Sequence, residues 1–288
     1  MRKRNDLDFQ NPGTGCSFPE PGPWGDGGGQ SPLPFVFSLP HCSGRVPETI
    51  RPAIALTNEA IEDSTDIGTN EIFGSVPARA ILRASWSRLV VDLNRSSLDR
   101  GPKGAIAEVD YHGRSVYKAG LVPKEKEIEQ RLKEYYFPFH DRLKEALADP
   151  GAKGLFDCHS LCGIGPSEAP DRGIQRKDII LGNNGDGRGK VNPAFGNTTC
   201  PVEILDFMKK AFQRAGFSVN INYPYSGGFI VTHYAGEFAA KGKFFIQIEI
   251  NQDLFQASAP GKRGEGKLRD VKARITRSLE EMAKAFCD

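Results

Sequence analysis

Two histidines each follow a short apolar run and precede small or polar residues, in Pro40-His41-Cys42-Ser43-Gly44 and in Asp157-Cys158-His159-Ser160. Imidazole nitrogens coordinate zinc and other first-row divalent ions, and a catalytic zinc commonly keeps three protein ligands and one open position. A carboxylate has to complete such a set, and the acidic stretch at residues 61–69 offers Glu62, Asp63 and Asp66. Taken singly, each motif is ordinarily structural: a histidine closing a strand, or an acidic loop that caps a helix. Two strands that end in the same way favour chemistry.

Two further constellations carry charge where charge is costly. Glu249 stands in Phe244-Phe245-Ile246-Gln247-Ile248-Glu249-Ile250. An acidic group in such a strand costs several kcal/mol unless it is paired or protonated, so it reads as a buried ion pair or as a general base with a perturbed pKa. In Ser87-Arg88-Leu89-Val90-Val91-Asp92-Leu93-Asn94-Arg95, a two-residue period would put Arg88, Asp92 and Asn94 on one face and Leu89, Val91 and Leu93 on the other. Arg88 with Asp92 is as readily a structural ion pair as a functional one. Arg95, at the end of the run, can grip a carboxylate through two parallel hydrogen bonds.

These residues need strands to position them. Apolar runs rich in β-branched and aromatic residues lie at 35–39, 89–93, 155–157, 219–221 and 244–250, and most are apolar on both faces, as in a central sheet covered by helices. Helical spacing of Ile204, Phe207, Met208, Ala211 and Phe212 predicts a helix that starts near Pro201, is capped by Thr198 or Thr199, and stops at Gly216. Residues 124–148 read as helical with an interruption at Pro138, and a last helix spans about 267–286. Strands alternating with helices predict an α/β layered domain. Residues 1–30, rich in Pro and Gly, read as a tail that Trp24 could pin, leaving 31–288 as a single domain.

Composition removes other classes. A net charge of +2 over 288 residues gives no field that would draw in a nucleic acid. No apolar run is long enough to span a bilayer, and the basic start lacks the apolar core of a signal peptide, so a soluble cytoplasmic protein is expected. The six cysteines, Cys16, Cys42, Cys158, Cys162, Cys200 and Cys287, are too sparse for a disulfide framework and read as free thiols. A cysteine nucleophile at 42 or 158 is disfavoured, since neighbours on an extended strand point apart.

In order and approximate spacing over about residues 34–255, these motifs resemble the N-formylglutamate amidohydrolase family. The series runs from Pro40-His41 through Pro47, Thr65-Asp66, the segment from Ser87 to Arg95, Asp157-Cys158-His159-Ser160 and Pro224-Tyr225-Ser226-Gly227-Gly228-Phe229-Ile230, to Gln247-Ile248-Glu249-Ile250-Asn251. The resemblance implies a zinc carboxypeptidase-like (phosphorylase/hydrolase-like) fold: three layers, with a mixed, mostly parallel sheet between helices. It implies one zinc, or another first-row divalent ion, per chain held by His41, Asp66 and His159, with Asp63 or Glu62 replacing Asp66 if the loop register differs. It makes Glu249 the general base. Arg95, Asn94, Arg88, Gly227 and Gly228 would line the site of a small anionic N-formyl or N-acyl acidic amino acid. A zinc carboxypeptidase or amidase on other acylated amino acids or peptides, and a non-catalytic ligand-binding relative, are the alternatives. The Cys-Ser-Gly after His41 and the Gly/Asn-rich residues 181–189 depart from the simplest members.

Overall fold

The computed structural model describes residues 32–256 and 264–287; the expected tail, with Trp24 and Cys16, lies outside them. In chain order the regular elements are β1 (Leu33–Leu39), α1 (Asn58–Asp63), α2 (Thr69–Phe73), β2 (Ala78–Arg83), α3 (Glu125–Arg131), α4 (Phe137–Ala148), β3 (Gly154–Leu161), β4 (Ile179–Gly182), α5 (Val202–Arg214), β5 (Val219–Ile221), α6 (Phe229–Phe238), β6 (Phe244–Asn251) and α7 (Glu265–Cys287). The strands form one six-stranded sheet in the order β2-β1-β3-β6-β4-β5. β1, β2, β3 and β6 run parallel, while β4 opposes β6 and is parallel to β5. The sheet is therefore mixed and mostly parallel, with helices on both faces, as expected.

Alternation along the strands explains how one sheet both fills a core and builds a site. Phe35, Phe37, Phe156, Ile246 and Ile248 face one way and pack with Leu205, Met208 and Phe212 of α5 and Ile275 and Leu279 of α7. The opposite face starts apolar, with Val36, Leu155 and Phe245 packed against Leu143 and Leu147 of α4 and Ile230 and Tyr234 of α6. Two residues further along, the same face becomes polar: Ser38, Asp157 and Gln247 are register partners across β1, β3 and β6. The next step places His159 beside Glu249. The polar residues thus share a face at the C-terminal ends of parallel strands, where open α/β sheets commonly place their ligands.

Several expectations are corrected. The apolar residues 89–93 form no strand; Leu89, Val90, Val91 and Leu93 are buried in a separate cluster with Ile54, Ile61 and Val116. Turn bonds such as Val90 N–H to Ser87 O at 2.9 Å satisfy their backbone, and Asp92 N–H reaches Ala105 O at 2.7 Å. The sequence pattern recorded burial, which turns can supply as well as a ladder. The helix near Pro201 has Pro201 itself as its N-cap and no side-chain cap, because the Thr199 hydroxyl donates to Phe245 O at 2.7 Å instead. It ends at Arg214, and Gly216 takes the left-handed conformation, φ 84°, as a stop requires. Between α3 and α4 the helix is not broken at Pro138: a π turn over Leu132–Tyr136 precedes α4, whose first turn contains the proline and tolerates its missing N–H. β2 and β4 add two strands to those that the apolar runs mark.

Candidate metal centre

His41 lies just past β1, and His159 lies inside β3, one turn of the pleat beyond Asp157. Asp66 comes from the loop between α1 and α2, which is pinned to the end of β1 by Asp66 N–H donating to His41 O at 3.0 Å. The three side chains offer ligand atoms all within 4.8 Å of one another. Asp66 Oδ2 is 2.8 Å from His159 Nδ1 and 3.5 Å from His41 Nδ1. Of the acidic alternatives, Asp63 is exposed and pairs with Arg114 at 3.7 Å, and Glu62 is exposed. Asp66 is the carboxylate that meets the imidazoles.

The far nitrogen of each imidazole is held by its own carboxylate. His41 Nε2 is 2.8 Å from Asp92 Oδ1, and His159 Nε2 is 2.9 Å from Asp157 Oδ2. A carboxylate at one ring nitrogen keeps the proton there and turns the other nitrogen's lone pair outward; here both outward nitrogens are Nδ1 and face Asp66. His41 Nδ1 is buried without a hydrogen-bond partner, which costs free energy unless something else occupies its lone pair. Burial would raise the Asp66 carboxyl, but the nearby His41 and the hydrogen bond from His159 hold it well below the usual range. Burial would lower His159, yet Asp157, with Asp66 and Glu249, keeps it well above the usual imidazole range. This environment favours a positive charge among the three donors. Two imidazoles, one carboxylate and an orphaned lone pair fit a first-row divalent ion such as zinc.

Glu249 borders this cluster on β6, in register with His159, and is 8% exposed. Burial pushes its carboxyl up to about 7, with His159 acting the other way. Gln247, two residues earlier and therefore on the same face, donates from Nε2 to Glu249 Oε1 at 2.9 Å, leaving Oε2 free of that bond. No salt bridge to Glu249 occurs among the described residues; His159 is the cationic group that acts most on its carboxylate.

The segment 87–95 converges on the cluster although it is a turn. Arg88 donates to Asp92 Oδ2 from Nη2 at 2.6 Å and Nε at 3.2 Å, so it orients the carboxylate that holds His41. Asn94 is equally committed. Its Nδ2 donates to Asp157 Oδ2 at 3.0 Å, and its Oδ1 accepts Ile230 N–H at 2.8 Å, joining β3 to the start of α6. Asn94 thus ties elements together, and it and Arg88 also line the cavity that holds His41, Asp66 and His159. Arg95 donates to Lys103 O at 3.1 Å and to Asn94 O at 2.9 Å, and its side chain still reaches the cavity. Gly227 and Gly228 line the same cavity, of about 510 Å³, as do His41, Asp66, His159 and Glu249. A Cβ on Gly228 would lie 2.4 Å from Asn94 Nδ2, so a side chain there is excluded. Cys158 packs in the core on the opposite sheet face, and burial pushes the Cys42 thiol up to about 11, which disfavours either as a nucleophile.

Residues 33–256 match the N-formylglutamate amidohydrolase family. The chain belongs to this family. It is 25% identical over 241 residues to an N-formylglutamate deformylase of Pseudomonas putida, covering 78% of this chain and 83% of that one. A second N-formylglutamate deformylase, from Pseudomonas aeruginosa, is 27% identical over 214 residues, covering 70% and 75%. The crystal structure of an N-formylglutamate amidohydrolase from Ralstonia eutropha JMP134 superposes with a TM-score of 0.67 at 20% identity, covering 89% of this chain and 96% of that one; it shares the fold.

Every residue from His41 to Glu249 falls inside the stretch matched to the N-formylglutamate amidohydrolase family, whereas α7 lies beyond it. This family member also brings Tyr111, Arg176, Tyr225 and Gln247 to the cavity; Tyr225 and Gln247 stand in motifs of the resemblance without a role there, and Tyr111 and Arg176 carry no sequence signal. Gln247 could have been found, because the two-residue period of β6 puts it on the face of Glu249. Tyr111 and Arg176 come from irregular loops, where no periodicity marks direction.

Proposed function

We propose that the protein is a zinc-dependent amidohydrolase that cleaves the amide of N-formyl-L-glutamate or a close N-acyl acidic amino acid. The observation that carries the reading is the convergence of His41, Asp66 and His159 beside Glu249 in one cavity, in a chain similar to two N-formylglutamate deformylases. His41 and His159 would hold the metal through Nδ1 and Asp66 through Oδ2. Bound there, the ion supplies Lewis-acid activation of a water and of the scissile carbonyl.

The chain's own residues do the rest. Glu249, fixed at Oε1 by Gln247, takes the water's proton at Oε2 as the C–O bond forms, and returns it to the nitrogen as the C–N bond breaks. Formate and a free amino acid are the products. A group near pH 7 in affinity suits both halves of that transfer. Arg95 binds the α-carboxylate and so orients the amide; Arg88 acts through Asp92 on His41. Glu249→Gln keeps size and strand packing but cannot accept the proton. It should retain metal and lose about two to four orders of magnitude in formate release from N-formyl-L-glutamate. Near-normal turnover by the metal-loaded variant would show that another group takes the proton.

A further inference from the structure

The cavity has a second polar wall that this mechanism does not use. Tyr111, from the loop after Asp110, and Tyr225, which follows β5, share a hydrogen bond between their hydroxyls. Behind them stands Arg176. Its Nε and Nη2 donate to Asp171 at 2.7 Å each, Nη1 donates to Cys162 O at 3.1 Å, and Nη2 also donates to the Tyr225 hydroxyl at 3.3 Å. The guanidinium is buried, lies 5.5 Å from the Tyr225 ring centroid, and is neutralised by Asp171. With Nη1 also 3.7 Å from Cys162 Sγ, the guanidinium is engaged at every nitrogen and serves to hold Tyr225 in place.

Counting protons shows what remains. Two hydroxyls carry two protons, and their mutual bond uses one. If Tyr225 donates to Tyr111, the Tyr111 proton is left over; if Tyr111 donates, the Tyr225 proton is. Neither hydroxyl has another acceptor among the described residues, and both side chains line the cavity that holds Asp66, His159 and Glu249. Burial keeps the Tyr225 hydroxyl well above the usual phenol range, so its proton stays on. One O–H donor therefore faces the cavity in either arrangement, positioned by Arg176 and Asp171.

We infer that Tyr111 and Tyr225 form the subsite for the side-chain carboxylate of the substrate, and so set the preference for an acidic amino acid. The inference rests on the hydrolase reading above: with the amide at the metal and the α-carboxylate at Arg95, the side-chain oxygen is the remaining acceptor on the molecule. Because either hydroxyl can present the proton, each single Phe variant keeps one donor, and the double variant keeps none.

The test compares kcat/KM for N-formyl-L-glutamate and for N-formyl-L-norvaline, which replaces the carboxylate by a methyl group. A hydrogen bond to a charged group is worth about one to two orders of magnitude. Tyr111→Phe/Tyr225→Phe should therefore lower the glutamate-to-norvaline ratio about ten- to a hundred-fold, with each single variant losing less than the double. A ratio unchanged in the double variant, or equal losses on both substrates, would overturn the subsite; the latter would place the hydroxyls at the reacting amide. If the wild-type protein hydrolyses neither compound, the hydrolase reading fails, and the subsite is decided by calorimetric binding of the same two compounds. There, a wild-type preference for N-formyl-L-glutamate that the double variant loses supports it, and no preference or an unaltered one overturns it.

Discussion

At the scale of single residues, the two histidines depend on the carboxylates behind them. Asp92 is buried, accepts from Arg88, and stands at 2.8 Å from His41 Nε2. Asp92→Asn keeps the shape but removes the charge that favours a proton on Nε2 and a free lone pair on Nδ1. Loss of such a partner commonly costs about 10- to 100-fold in metal affinity, and a competitive zinc titration of the variant should show a loss in that range; unchanged affinity would mean that His41 needs no partner. The same scale shows how much of the site could be read in advance. His41 and His159 declared themselves by following apolar runs, and Glu249 by sitting inside one. Asp66 could not be separated from Asp63 or Glu62 without the backbone bond that ties its loop to His41. Arg88 and Asn94 line the cavity, and their hydrogen bonds go to Asp92 and Asp157, a distinction that spacing does not encode.

At the scale of elements, long buried strands were legible because apolar and β-branched residues accumulate in them, as in β1, β3 and β6. β2 is a half-exposed edge with two arginines, and β4 has only four residues, so neither leaves a strong pattern. The turn at 87–95 reads as a strand because it is as apolar as one, and its packing supplies two tests. Gly228 precedes α6 with Asn94 pressed against it, so Gly228→Ala should push the Asn94 amide off Asp157 and lower both metal affinity and turnover; wild-type values in the variant would show that the contact yields without cost. Beneath the same turn, His140 of α4 donates from Nε2 to Leu93 O at 3.0 Å, and its Nδ1 lies 3.0 Å from the Tyr234 hydroxyl. Burial lowers its pKa from 6.5 to about 4. The unfolded chain then binds this proton at a higher pH than the folded one. His140 accordingly contributes stability that is complete above about pH 6.5 and is lost as pH falls towards 4, on the order of 3 kcal/mol in all. Chemical denaturation of wild type and His140→Gln across this window should show a shallower pH slope in the variant; equal slopes would mean that His140 does not titrate there.

At the scale of the whole molecule, the sheet serves two purposes with one face. Val36, Leu155 and Phe245 anchor α4 and α6, and further along the same face β3 and β6 carry His159, Gln247 and Glu249 into a cavity closed by loops from distant parts of the chain, with Asp157 buried behind His159. That arrangement puts three donor atoms within 4.8 Å in surroundings that favour a cation, and the proposed hydrolysis requires a metal there. The most direct measurement is the metal content of purified protein by mass spectrometry, for wild type and for His41→Ala/His159→Ala. Wild-type protein should hold about one divalent ion per chain, with zinc foremost, and the double variant should lose both the ion and formate release. Full metal occupancy in the double variant, or hydrolysis by wild-type protein stripped of metal, would contradict that requirement.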